Sequence, residues 1–178
     1  MTLLEFADYQ CSHCARFAAL PGPAIKRDYV QEGRVRMLVY DFPLSRQSNA
    51  IPAALAARCA GDQDRYWEMH DLLYSNQRAW AGDASPEDRF ADYAEQIGLD
   101  EGAFNECYSE RRYLSEIFAS RAFGRRLGVS GTPSIFVNGH KAGSYAYESV
   151  ASLIEAELDS AGTTGAEASD GGGGAAGP

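Results

Sequence analysis

Two cysteines separated by two residues, Cys11-Ser12-His13-Cys14, follow the short apolar run Leu3 to Ala7 and open an apolar, helix-like stretch. Sulfurs at that spacing can close a small disulfide or hold part of a metal site. At a helix start the first sulfur meets unpaired backbone N–H groups and the positive end of the helix dipole. Both favour an anion there, and the thiolate is the reactive form of cysteine. Lowering a cysteine pKa by three units stabilises the thiolate by about 4 kcal/mol. Zinc would need two more ligands. Cys59 and Cys107 form no second pair of this spacing, and His70 and His140 lack ligand spacing. A redox pair is therefore favoured over a metal.

Three further groups are candidates for the same site. Glu5 lies six positions before Cys11, on the strand that leads to it. A carboxylate there would sit under the site and could shuttle a proton for Cys14. The alternative is an ordinary strand charge, which is costly inside a two-sided apolar strand. His13 lies between the sulfurs, where a protonated imidazole would help hold the Cys11 thiolate. The alternative is a solvent-facing helix residue. Thr132-Pro133 follows Gly-Val-Ser-Gly and opens a strand. Proline is tolerated at that position, and a cis bond there would mark a tight turn.

A chain of 178 residues with 45% apolar composition can form one domain with a real core, or one domain with a sizeable insertion. The net charge of −9 argues against nucleic acid as a partner. No apolar run of about 18 residues predicts a transmembrane helix. Met1 leads straight into the first apolar run, so no leader is read, although an exported protein lacking its leader would look the same.

Periodicity gives the secondary structure around these residues. Thr2 to Ala7 reads as a buried strand. A helix is expected from Cys11 to about Gln31, kinked or broken at Pro21 and Pro23, and Gly33 ends it. Arg34 to Tyr40 alternates as a strand, completing a βαβ unit. From Ser48 to Leu127 the pattern is helical: Ala50 to Ala60, then Asp64 to Ser75 with Tyr66, Trp67, Met69, Leu72 and Leu73 on its buried side. A helix starting at Ser85-Pro86, with Ser85 as N-cap, runs to Ile97. Helices from about Asp100 to Tyr108 and Arg112 to Leu127 complete the block. Pro133 to Val137 is a strand, Asn138-Gly139 a hairpin turn, His140 to Ala142 a short strand and Tyr147 to Leu158 a closing helix. The expected division is 1–47 and 128–159 as a core, 48–127 as a helical insertion, and 160–178 as a Gly/Ala-rich tail unable to order itself.

With the helical block set aside, βαβ followed by ββα is the order of a thioredoxin core. Glu-Phe-Ala-Asp-Tyr-Gln-Cys-Ser-His-Cys and Gly-Val-Ser-Gly-Thr-Pro-Ser-Ile-Phe-Val-Asn-Gly resemble the two active-site segments of DsbA-like thiol-disulfide oxidoreductases. Ala-Ala-Arg-Cys-Ala and Tyr-Trp-Glu-Met-His-Asp-Leu-Leu resemble that family's helical insertion, so the likeness covers about Leu3 to Leu158. The resemblance implies an α/β thioredoxin fold, Cys11 as an exposed nucleophile, Cys14 as its buried partner and a cis Pro133 facing the disulfide. Ser12, Thr132 and Pro133 would contact substrate, the cis-proline loop pairing with an extended peptide. It also implies a structural disulfide between Cys59 and Cys107, the alternative being two buried free thiols. No cofactor is implied beyond the Cys11–Cys14 disulfide.

By the same resemblance the chain would act as a monomer in the periplasm or an equivalent extracytoplasmic compartment, the cytoplasm being the less favoured alternative. It would oxidise reduced or unfolded proteins and be re-oxidised by a quinone-linked membrane partner. Three departures from the family stand out. Ser-His replaces the Pro-His of the best-known oxidases, and this dipeptide tunes redox potential. The strand that usually precedes the one carrying Glu5 is absent, and the glycine-rich tail is extra. Disulfide reduction or isomerisation on the same fold is the main alternative. A non-catalytic binding or chaperone module is the other, and the intact cysteine pair, Glu5, His13 and Thr132-Pro133 argue against it.

Overall fold

The computed structural model describes residues 1–167, with side chains as far as Ser160. Strand β1 (Thr2–Ala7) forms where expected. The first helical region is three pieces: α1 (Ser12–Ala19), α2 (Pro21–Ile25) and one π-helical turn (Lys26–Val30). Pro21 cannot donate to the turn before it, but it fits the first turn of a new helix. Strand β2 is Arg36–Asp41, starting later than Arg34 and running past Tyr40.

Helices α3 (Ala50–Gly61), α4 (Tyr66–Ser75), α5 (Gln77–Trp80), α6 (Glu87–Gln96), α7 (Glu101–Ser109) and α8 (Leu114–Arg126) fill the space between the two halves of the sheet sequence. Strands β3 (Ser134–Val137) and β4 (His140–Lys141) are followed by α9 (Tyr147–Glu167). The sheet order is β2-β1-β3-β4. β1 pairs parallel with β2 and antiparallel with β3, with Glu5 opposite Val39 and Ile135. The β3–β4 turn carries Asn138 at φ 47° and Gly139 at φ 91°, the paired left-handed conformation of a tight hairpin. This is the thioredoxin fold with a helical insertion.

Four further details of the helices differ from the sequence expectation. On α4, Trp67 is exposed and Tyr66 and Leu72 are half-buried, whereas His70 and Tyr74 are buried with Met69 and Leu73. The buried face is rotated because Tyr9 stacks on Tyr74 at 4.9 Å and meets His70 edge-on at 5.8 Å. Pro86, not Ser85, sits at the N-cap of α6; the Ser85 N–H donates instead to Asp83 Oδ1. Helix α5 is additional. Helix α9 continues past Leu158 to Glu167, into the stretch expected to be tail. The remainder of that tail, including Gly171 to Gly174, lies outside the described residues.

One sheet face packs Leu3, Met37, Ile135 and Val137 against Phe17, Ile25, Val150 and Ile154. A larger cluster runs from Tyr9, Cys11 and Cys14 into the insertion, through the alanines of α3 to Trp80, Phe90, Phe104 and Ile117. The insertion therefore shares a core with the cysteine pair. Gly124 of α8 is pressed against Phe42 and Phe6, where a Cβ would fall 2.8 Å and 2.9 Å from ring carbons. Glycine is what allows α8 to lie this close to β1 and β2.

Candidate redox site

Cys11 is the N-cap of α1, its N–H bonded to Asp8 O at 3.0 Å and its carbonyl accepting from the Ala15 N–H at 3.1 Å. The insertion fixes this turn from the other side: Gln77 Nε2 donates to Tyr9 O at 2.7 Å and to Cys11 O at 3.0 Å. Gln10 Nε2 donates to Ala81 O, and Gln10 Oε1 accepts from the Asn49 N–H at 2.8 Å. Asn49 Nδ2 in turn donates to Trp80 O at 3.0 Å and Asp83 O at 2.8 Å. Helical insertion and active turn are thus one hydrogen-bonded unit.

Both thiols are free, and Cys11 is only 6% exposed against 0% for Cys14. The expected exposed nucleophile is thus covered, because Thr132 lies over it: the Cys11 thiol donates to Thr132 O at 3.4 Å. The Thr132–Pro133 bond is cis. The Cys11 pKa is held down to about 5. Hydrogen bonding from the Cys14 thiol is the largest cause; burial opposes it, and the Thr132 side chain and the backbone N–H groups of Cys14 and His13 add to it. In the protonated pair the Thr132 hydroxyl is buried with no hydrogen-bond partner, which leaves it available to the Cys11 thiolate. Cys14 is pushed the opposite way, well above the usual thiol value, first by burial and then by its bond to Cys11.

His13 is exposed and reaches the sulfur through its backbone N–H, while its ring Nδ1 shares a 2.8 Å hydrogen bond with the Tyr145 hydroxyl. That bond ties α1 to the segment after β4. Between them lies a cleft of about 450 Å³ lined by His13, Thr132, Pro133, Lys141 and Tyr145. Ser12 is exposed beside the pair.

Glu5 lies beneath. It is 1% exposed, and burial raises its pKa to about 8, with the Lys26 ammonium opposing. Its Oε1 has no hydrogen-bond partner, and its charge is felt at Cys14. A cavity of about 380 Å³ runs from Glu5 past Tyr74 to Lys26 and Asp71. Lys26 Nζ caps it, 3.6 Å above the exposed Trp67 ring. A carboxyl protonated at neutral pH can deliver a proton to a buried sulfur.

Sequence reasoning missed Asp8, buried at 2% exposed, whose oxygens accept from the Gln10 and Leu44 N–H groups at 2.7 Å each. Burial raises its pKa to about 6. Asp8 directly follows the buried strand, and an acid so placed was the available signal. Gln77, Asn49 and Tyr145 had none, since long-range folding brings them to the site. The ion pair between half-buried Arg58 Nε and buried Asp41 Oδ2 at 2.5 Å likewise joins α3 to β2. Cys59 and Cys107 are joined in a disulfide across α3 and α7.

A cysteine pair at a helix N-terminus, a cis-proline loop over it and a buried acid below it define a thioredoxin-fold redox site. The family model described as Thioredoxin matches residues 1–156, and the chain belongs to that family. Among solved structures, oxidised BdbD from Bacillus subtilis superposes with a TM-score of 0.81 at 23% identity, over 89% of this chain and 87% of the other. DsbA1 from Wolbachia pipientis gives 0.75 at 22% identity, over 86% and 83%. These share the DsbA-type fold. A Rickettsia conorii protein named as a protein-disulfide oxidoreductase is 24% identical over 88% of this chain and 56% of its own length. A stretch of a Salinispora arenicola protein named as the Na+/H+ antiporter NhaA 1 is 34% identical over 86% of this chain and 22% of that protein. The chain thus spans about half of the first relative and a fifth of the second.

Proposed function

We propose that this protein is a thiol-disulfide oxidoreductase that donates its Cys11–Cys14 disulfide to the thiols of other proteins. The supporting observation is the opposed pull on the two sulfurs, Cys11 down to about 5 and Cys14 up. At pH 7 a pKa of about 5 stabilises the reduced form by about 3 kcal/mol over an unperturbed thiol. Cys14 stays protonated either way and adds nothing to that difference. About 3 kcal/mol makes the couple more oxidising by roughly 60 mV.

In the proposed cycle a substrate thiolate attacks Cys11 Sγ. A substrate–Cys11 disulfide forms, the Cys11–Cys14 bond breaks, and Cys14 leaves with the electron pair. The Glu5 carboxyl supplies the proton that Cys14 takes up. A second substrate thiolate then attacks the substrate sulfur and expels Cys11 as a thiolate. Two electrons have moved from substrate to the cysteine pair. Ser12, Thr132 and Pro133 line the approach, and the Thr132 carbonyl, which accepts from Cys11 only while that thiol is protonated, is free to pair with an extended peptide once the disulfide forms. No cofactor beyond the disulfide is needed.

The second disulfide, Cys59–Cys107, supports work in an oxidising compartment outside the cytoplasm, such as a periplasm. The protein would act there as a monomer on reduced or unfolded chains, with a membrane partner to re-oxidise it. Equilibration with glutathione tests the direction of electron flow. A potential above about −200 mV is expected, and a value near the about −270 mV of thioredoxin would make the protein a reductase instead.

A further inference from the structure

Across the cis-proline loop from the His13 cleft lies a second cleft, of about 600 Å³, lined by Ser45, Arg46, Gln47, Arg121, Arg125 and Ser130 among others. Ser130 borders both clefts, three residues before the cis-proline. None of the three arginines belongs to an ion pair among the described residues. Arg121 Nε is moreover buried with no hydrogen-bond partner. A cation in the last turn of α8 suits the helix dipole, which accounts for Arg125. It does not account for Arg121, a turn earlier, or for Arg46, which comes from the segment after β2. In a chain of net charge −9, three unpaired guanidiniums facing one cleft are a concentration of donors awaiting an anion.

We propose that this cleft is a specificity subsite for the protein substrate, taking the carboxylate of an Asp or Glu close to the reactive cysteine. The assignment rests on the disulfide-donor function proposed above. The planar guanidinium fork matches a carboxylate in two parallel hydrogen bonds, which favours this anion over a diffuse electrostatic attraction. Three residues of extended chain span about 10 Å. A peptide paired with the cis-proline loop and held at Cys11 would therefore bring its residue about three positions away over Ser130 and into the cleft.

The test compares synthetic dithiol peptides that differ only in carrying Asp or Asn about three residues from the cysteine that reacts first. At low salt the Asp peptide should be oxidised with about tenfold higher kcat/KM, the equivalent of one charge-assisted hydrogen bond. The ratio should shrink as ionic strength rises. In the Arg46→Gln/Arg125→Gln double variant, whose side chains are both exposed and do not threaten folding, it should fall to within about twofold of unity. Arg121→Gln should lower it too. Arg36→Gln, the same charge change at the exposed start of β2, should keep the preference. Equal rates for the two peptides, or a preference that survives in the double variant, would overturn the subsite and leave the disulfide-donor function standing. Oxidation of neither peptide would overturn that function and the subsite with it.

Discussion

Cys11 and Cys14 are free thiols at a helix N-terminus, whereas Cys59 and Cys107 are bonded across a separation of 48 residues inside the helical block. Both pairs are buried, so access to solvent does not distinguish them. What differs is the polar company. Cys11 has the Thr132 side chain, two backbone N–H groups and its partner thiol to hold a negative charge. Cys59 is set among the buried alanines of α3, and Cys107 shares its short helix with the buried Phe104. An apolar setting offers a thiolate nothing, so a disulfide there has no stabilised product to break towards. Reactivity in this chain is written in donors rather than in exposure.

The largest effects should separate the pairs by function. Cys11→Ser should reduce oxidation of a dithiol peptide by more than about a thousandfold, because a hydroxyl cannot form the mixed disulfide. Cys14→Ser should leave Cys11 a lone thiolate that attacks a disulfide-bearing substrate protein, bonding one of its sulfurs and expelling the other as a thiolate; with no Cys14 to displace the bound sulfur from within, non-reducing electrophoresis should show accumulated mixed disulfides. The Cys59→Ala/Cys107→Ala variant should turn over normally. Substantial turnover by Cys11→Ser would break the division of labour.

The second pair should show itself in stability. Closing a loop of 48 residues is worth about 4 kcal/mol on the entropy model. Removing the bond from the double-alanine variant should lower the Tm by about 10 °C. Thermal unfolding of the two proteins, both with Cys11–Cys14 oxidised, gives the comparison. An unchanged Tm would mean that the packing of α3 against α7 holds without the covalent link.

How much of this was legible in the sequence follows the range of the interactions. The strand before the cysteines, the turn at Asn138-Gly139, the breaks at Pro21 and Gly33 and the position of Glu5 all depend on neighbours along the chain. They could be read from alternation and turn chemistry. The rotation of α4 could not: Trp67 and Met69 are equally apolar in the sequence, and only the packing of Tyr9 against Tyr74 and His70 decides which side turns inward. The covering of Cys11 was equally hidden. It depends on Thr132, which is 121 residues away. His13 lies between the sulfurs in the sequence, but its ring turns to Tyr145, and its backbone N–H is the last of the contributions that hold the Cys11 pKa down.

The smallest predicted effect bears on what lies above and below Cys14. Cys11 and Glu5 are shifted in opposite directions, to about 5 and about 8, so their contributions to stability run oppositely with pH. A lowered pKa contributes stability that is full above the unfolded value and lost as pH falls through 5. Cys11 therefore strengthens the reduced protein progressively from about pH 5 to about pH 9. A raised pKa contributes stability that is full below the unfolded value of 4.5 and lost as pH rises through about 8. In the oxidised protein Cys11 does not titrate, and above pH 6 the Asp8 shift to about 6 no longer adds much slope. Between pH 6 and pH 8 the oxidised wild type should then lose about 2 kcal/mol relative to Glu5→Gln. Urea unfolding of both proteins across that interval measures the difference. Parallel curves would mean that Glu5 is already ionised at neutral pH, held by Lys26 across the cavity, and the proton for Cys14 would have to come from elsewhere.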